Sequence, residues 1–243
     1  MDVKIYDKLA KKYDFATKIV SFGIEELWRR MFVKSIKKYI NDGVLIDIAS
    51  ATGETAKELD FKKMYLIEPS SEMNKIASEK FKMKNEKCKI KKLPSSKFRV
   101  PSLEISCEKQ KIIIIEDTAE NFKIDEKADL ITAFMAVRNF DDLQKGMENL
   151  KNHLKSGGYI AIVEMVKNDS LFAKLIMWYM NNIVPLIAGV LLGMKKEYKL
   201  LGKSINSLSE EEILNELKGF KIIKKQKMIF PIATLIIAKR DDG

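Results

Sequence analysis

The sequence is poor in the residues that build metal sites and covalent scaffolds. Its 243 residues include two Cys and one His. Two Cys are too few for a disulfide framework, and one His leaves no Cys/His cluster with zinc-ligand spacing. The first twenty residues, beginning MDVKIYDKLAKKYD, contain no apolar stretch of the secretory type, so the default compartment is the cytoplasm. No internal repeat and no low-complexity tract is present. What the chain does have is apolar material: 46% of its residues, which excludes a wholly disordered chain and suffices for one core over residues 1–243.

The net charge of +10 is unevenly spread. Residues 84–111 hold eight Lys and one Arg against three Glu, so this one segment carries +6. Such a segment suits an anionic partner or is a solvated charged loop. Its single aromatic, Phe98, gives no stacking platform, which argues against nucleic acid.

Short apolar runs recur along the chain. Val44–Ala49, Met64–Ile67, Ile112–Ile115, Leu130–Phe134 and Tyr159–Val163 read as buried strands, and their near-continuous hydrophobicity fits a parallel sheet covered on both faces. Ser71–Phe81 and Asp141–Lys155 have helical spacing, with Ser70 or Ser71 and Asp141 as caps and Ser156-Gly157-Gly158 as the stop of the second helix. Ser209–Leu217 reads as a helix, followed by an antiparallel hairpin from Lys221–Met228 and Ala233–Lys239. Alternating strand and helix predicts an α/β doubly wound domain. Three segments fall outside it: a helical cap over residues 1–41 with Trp28, Met31 and Phe32 on one face, the basic insertion 84–111, and an apolar lid region, 171–207.

In an open α/β sheet, ligands sit beyond the carboxyl ends of the strands. The first strand–helix turn is DIASATGET, Asp47 to Thr55, which lacks both the G-x-G-x-x-G of a dinucleotide site and the Lys of a P-loop. It offers an acid, Asp47, then Ala49, Ala51, Thr52 and Gly53, small enough for close approach to a ligand. Glu68, ending the second strand, can accept both hydroxyls of a ribose. Asp117, Thr118 and Ala119, ending the third, can read an adenine edge. Together they point to an adenosine-type ligand, set against an ordinary βα turn with two surface acids.

YDFATKIVSFGIEELWRR (13–30), DIASATGE, ITAFMAVRN and LKSGGYIAIVEM resemble the ubiquinone/menaquinone biosynthesis C-methyltransferases, in order from about Tyr6 to Lys239. The resemblance implies a seven-stranded Rossmann-like methyltransferase with S-adenosylmethionine as cofactor, no metal, and a prenylated hydroquinone as acceptor. It implies that Asp47, Ala49, Ala51, Thr52, Gly53, Glu68, Asp117, Thr118, Ala119 and Phe134 hold the cofactor. It also implies that Arg138 and Asn139 take part in proton removal with help from Tyr13. Departures from the family pattern are Ala51 for a Gly, Thr118 for Asn or Asp, Phe134 for a Ser, Thr17-Lys18 for Asn-Asp, and Glu25 in place of the His before Trp28.

Methyl transfer is chiefly a positioning task, and a ring carbon becomes nucleophilic when the adjacent phenol loses its proton. Arg138 stays charged, so it is assigned to the phenolate, with water carrying the proton. For Arg138 and Asn139 the bland reading is a loop ion pair; for Tyr13 and Asp14 it is helix packing. His153, near a helix end, falls at the edge opposite the cofactor. In the lid, Lys174, Asn181 and Asn182 leave a longest apolar run of 12 residues, Ile183–Met194, against roughly 20 for a span. A buried lid and an apolar entrance for a polyprenyl tail both fit. The insertion could add contact with anionic headgroups. Cys88 and Cys107 bracket an excursion whose strand pairing could join them, although the reducing cytoplasm argues against a bond. A methyltransferase for another lipophilic molecule and a non-catalytic cofactor-binding scaffold subunit are the competing readings; a homo-oligomer stays open.

Overall fold

The five apolar runs become the inner strands of one sheet. The computed structural model describes residues 3–84, 87–94, 98–204, 207–229 and 232–241; residues 85–86 and 95–97 of the insertion and 205–206 of the lid region lie outside the described residues. The strands are β1 (Val44–Ile48), β2 (Lys63–Ile67), β3 (Lys89–Leu93), β4 (Ser102–Ser106), β5 (Lys111–Ile115), β6 (Ala128–Phe134), β7 (Leu154–Met165), β8 (Phe220–Lys227) and β9 (Ala233–Arg240). Their order is β3-β4-β5-β2-β1-β6-β7-β9-β8. The strands β5-β2-β1-β6-β7 run parallel, and β9 and β8 close one side antiparallel. The seven strands expected are thus present, and the basic insertion adds two more, β3 and β4, antiparallel at the far edge.

Alternation across the pleat divides the core. Ile46, Ile48, Ile113, Ile131 and Ile162 face Phe122 and Met147 on one side, while Leu45, Met64, Leu66, Ile112 and Ile114 face Phe32, Phe61 and Phe81 on the other. The helices covering these faces are α3 (Ile24–Ile36), α4 (Glu54–Leu59), α5 (Ser71–Lys84), α6 (Leu143–Asn152) and α10 (Glu210–Glu216). Ser70 caps α5, its hydroxyl accepting from the Met73 amide at 3.2 Å. Asp142, not Asp141, caps α6 by accepting from the Lys145 amide; the Asp141 amide instead donates to Glu120. Nor does Ser156-Gly157-Gly158 stop that helix. The helix ends at Asn152 and β7 begins at Leu154, running through the glycines beside a bulge opposite Ala128. His153 closes α6, its Nδ1 2.8 Å from the Asn149 carbonyl, at the amino-terminal edge of β7.

The outlying segments come together over the carboxyl edge of the sheet. α1 (Val3–Leu9) and α2 (Tyr13–Val20) pack against α8 (Val184–Leu192) and α9 (Lys195–Ser204) through Leu9, Ala16, Val20, Val184, Ala188 and Tyr198. α7 (Leu171–Asn182) lies beside them, its Tyr179 hydroxyl donating to the Val20 carbonyl at 3.2 Å. By length and composition Leu171–Val190 is apolar enough to cross a membrane, the lone candidate among the described residues. The chain nevertheless breaks between α7 and α8 at Ile183.

Cys88 and Cys107 are joined. The register pairs Lys89 with Ser106, so the cysteines face each other one step further out, with Cα atoms 4.3 Å apart. The disulfide closes the base of the insertion at the edge away from the carboxyl ends. The tip lies at the carboxyl edge, where the Pro101 carbonyl accepts from the Glu116 amide.

Candidate active site

The turn after β1 is held by its neighbour strand. Glu68, 3% exposed, accepts from the Ala51 amide at 3.0 Å with one oxygen and from the Ser70 amide at 2.9 Å with the other. Ala49 and Ala51 both take left-handed backbone, φ +49° and +47°, an unfavourable region for a residue with a Cβ. Gly53 is also left-handed, φ +79°, and a Cβ there would stand 2.9 Å from the Phe81 ring.

Two carboxyls below this turn are perturbed. Asp47 is pushed up to about 7 by burial, offset in part by the Thr132 hydroxyl that donates to it at 2.6 Å. Its second oxygen is buried and accepts no well-formed hydrogen bond. Glu68 is likewise pushed up to about 7 by burial, against the two backbone amides that favour its charge.

The N-terminal helices are fastened onto the turn. Thr52 donates to Asp14 at 2.7 Å, and Lys80 reaches Asp14, Glu54 and, at 2.9 Å, the Thr52 hydroxyl. Four elements therefore meet at one half-buried ammonium.

A second centre lies at the ends of β6 and β7. Arg138 is ion-paired with Glu164, which is fully buried and also accepts from the Arg138 amide at 3.1 Å. Burial works against the charge of Arg138, but Glu164 outweighs it and raises the guanidinium above its ordinary range. Asn139 lies beside Tyr6, whose phenol is raised by burial, with the nearby Arg138 and Asn139 opposing the rise. Tyr13 is raised further, by burial first and then by Tyr6 and Glu25.

Both centres open into one cavity of about 1040 Å³. Of the residues assigned from sequence it brings together Asp47, Ala49, Ala51, Thr52, Glu68, Phe134, Tyr13, Arg138 and Asn139. Gly53, Asp117, Thr118 and Ala119 do not line it. Asp117 instead accepts from the following Thr118 amide, and Ala119 is buried in the core. Phe134 fills its place against Phe32, with ring centres 5.6 Å apart. Phe22, Phe172, Leu175 and Trp178 line the cavity while remaining 40–74% exposed, alongside the charged Lys18, Glu26 and Arg30.

Sequence reasoning missed Tyr6, Glu164 and Lys80. Glu164 had a readable signal, a lone acid within the apolar run YIAIVEM. Tyr6 and Lys80 sit in ordinary helical stretches and had none. Among the described residues no cluster of His, Cys, Asp or Glu could hold a metal ion.

A model of the ubiE/COQ5 methyltransferase family matches residues 2–240. The chain belongs to that family. It is 28% identical to a ubiquinone/menaquinone biosynthesis C-methyltransferase UbiE of Campylobacter jejuni, over 98% of this chain and 97% of that protein. It is 27% identical to a demethylmenaquinone methyltransferase of Thermotoga maritima, over 97% and 94%. In fold it is similar to an S-adenosylmethionine-dependent methyltransferase of Clostridium acetobutylicum, with a TM-score of 0.60 at 16% identity over 95% of this chain and 98% of that one. The protein is an S-adenosylmethionine-dependent methyltransferase with a class I fold.

Proposed function

We propose that this methyltransferase transfers the methyl group to a ring carbon of a prenylated hydroquinone, a reading supported by relatives named as a ubiquinone/menaquinone biosynthesis C-methyltransferase and a demethylmenaquinone methyltransferase. The observation that carries the reading is that one cavity joins both centres. Its lining includes Asp47 and Glu68, the Arg138 side chain, and the part-exposed Phe22, Phe172, Leu175 and Trp178. A polar ring and an apolar tail need both kinds of surroundings.

The residues present fit the cofactor. Glu68 stands where ribose hydroxyls can donate to it, and the unsatisfied Asp47 oxygen offers an acceptor for an ammonium. Ala49, Ala51, Thr52 and Phe134 would line the remainder, with Gly53 shaping the turn from behind. Asp117, Thr118 and Ala119 retain the adenine assignment, one strand further along the same edge. When bound, S-adenosylmethionine supplies an electrophilic methyl group. Arg138 then stabilises the phenolate, because a buried cation acts most strongly where negative charge develops. Asn139 and Tyr13 position the ring hydroxyl beside it.

These part-exposed apolar residues also suit a membrane surface. Phe22, Leu175 and Trp178 could enter the interface while Lys89, Lys91 and Lys92, all exposed on β3, meet anionic headgroups. Sedimentation with liposomes should need anionic lipid, weaken as salt rises, and weaken when residues 84–111 become a short neutral turn. Binding indifferent to lipid charge would leave the apolar residues as the sole contact.

The activity is tested with purified protein, S-adenosylmethionine and a demethylated prenyl naphthoquinol or benzoquinol, reading the product by mass spectrometry. Calorimetric binding of the cofactor without methylation of any quinol would favour another lipophilic acceptor. Absence of cofactor binding at millimolar concentration would sink the enzyme reading.

A further inference from the structure

The ring hydroxyl must give up its proton before the carbon can attack, and the second centre as built cannot take it. Arg138 is cationic and tied to Glu164, and both Tyr6 and Tyr13 are phenols held protonated by burial. The acids that line the cavity are mostly engaged. Asp14 and Glu54 hold Lys80. Glu68 accepts from two backbone amides and is the acceptor for the ribose, and Asp47 lies beneath the turn, bonded to Thr132. Glu26 pairs with Arg30 and Lys18 on the outer face.

Glu25 differs from all of these. It lies in the first turn of the 13-residue α3, directly after the Ser21–Gly23 turn that carries Phe22 to the cavity lining. Its side chain is 20% exposed, and among the described residues its ion pair is one contact to Arg29 at 3.3 Å. Arg29 is itself shared with Glu58 at 3.5 Å, so its charge is divided between two acids. The groups facing Glu25 are Arg29 and Glu26 on its own helix, Tyr13 and Asp14 from α2, and Glu54 and Glu58 from α4, with Lys80 of α5 behind Asp14. Four acids and two cations around it make this end of the cavity proton-attracting. Burial raises the Glu25 carboxyl, Arg29 opposes that, and Asp14, Glu54 and Glu26 add to it.

We infer that Glu25 is the proton acceptor of the reaction, taking the proton of the ring hydroxyl directly or through Tyr13. This rests on the acceptor being a phenolic ring. As the hydroxyl proton passes to Glu25, the oxygen's electrons make the adjacent ring carbon nucleophilic. That carbon forms its bond to the methyl group as the sulfur–carbon bond breaks, leaving the electron pair on sulfur. The ring carbon then loses its hydrogen as a proton to solvent, and protonated Glu25 returns its own to the ring oxygen. One proton leaves per turnover, and Glu25 ends as it began.

The test compares wild type with Glu25→Gln, Glu25→Asp and Glu25→His on the quinol that the wild type methylates. Glu25→Gln should lower kcat by about 100-fold or more, the ordinary contribution of a general base. KM and the calorimetric affinity for S-adenosylhomocysteine should stay within about twofold. The acidic limb of the kcat/KM profile should disappear in Glu25→Gln and return in Glu25→His, moved toward about 6.5. In the ligand-free protein, the labelled carboxyl carbon of Glu25 should titrate above 4.5. Turnover within about threefold of wild type, or an unchanged acidic limb, overturns the inference. So does loss of S-adenosylhomocysteine affinity, which would make Glu25 part of the cofactor site. A wild type that methylates no quinol fails the acceptor assignment instead, and that result is separate.

Discussion

Arg138 and Glu164 form an ion pair sealed from solvent on the Glu164 side, and the same carboxylate accepts from the Arg138 backbone amide. The Arg138 Nε, also buried, has no hydrogen-bond partner among the described residues. Two consecutive strand ends, β6 and β7, are thereby locked in one geometry with a guanidinium left facing the cavity.

Removing one member of such a pair strands the other. Arg138→Ala should lower unfolding free energy by about 3–5 kcal/mol besides lowering kcat, while the double variant Arg138→Met/Glu164→Met should recover most of the stability. Urea unfolding reads the first effect and methyl transfer the second. A double variant that turns over normally removes Arg138 from the chemistry.

The cost at Ala51 is local to its own backbone. Left-handed backbone at a residue with a Cβ costs about 1–2 kcal/mol, whereas glycine costs about 0.5–1 kcal/mol of chain entropy. Ala51→Gly should therefore stabilise the protein by about 0.5–1 kcal/mol and leave cofactor affinity unchanged or tighter. Thermal unfolding and calorimetry of the same preparation check both. Weaker binding would mean that the Ala51 methyl group itself touches the cofactor.

The sheet was legible because five buried strands are nearly continuous apolar runs, and the cofactor turn because it follows the first of them. Cap assignments failed by one residue at Asp141 because neighbouring aspartates offer the same chemistry and only backbone geometry chooses. The stop at Ser156-Gly157-Gly158 failed because glycine permits a strand bulge as readily as a helix end. Long-range pairs were not legible. Nothing local to Tyr6 or Lys80 says that the first meets Asn139 and Arg138 and the second fastens Asp14 to Thr52. The disulfide depended on register, which Pro94 and Pro101 bound but do not set.

That disulfide closes a loop of 18 residues at the sheet edge remote from the cavity. Its loss should cost up to about 3 kcal/mol by freeing the unfolded chain. Cys88→Ser/Cys107→Ser should lower the thermal midpoint and leave S-adenosylmethionine affinity within about twofold. Free-thiol counts with and without reductant decide whether the purified protein carries the bond. A stability that ignores reductant while the thiols become titratable would show that β3 and β4 hold by backbone pairing alone.

Glu68 links cofactor binding to pH. Its carboxyl is pushed up to about 7 in the fold from an ordinary 4.5, so the folded state favours its protonated form. Its contribution to stability is therefore greatest below about 4.5 and declines as pH rises through about 7. Wild type should therefore lose stability over that window relative to Glu68→Gln, which has no proton to give up. A ribose donating to Glu68 favours the ionised form, so S-adenosylmethionine should bind with proton release between pH 6 and 7.5, an interval of about one unit around the folded pKa. Calorimetry in two buffers of different ionisation enthalpy measures that release, and Glu68→Gln should reduce it, leaving only what Asp47 contributes. Glu68→Ala should weaken binding by about 1.5–3 kcal/mol, as for a lost hydrogen bond to a charged group. Heats that do not depend on buffer, together with unchanged affinity in Glu68→Ala, would place the ribose elsewhere along the carboxyl edge.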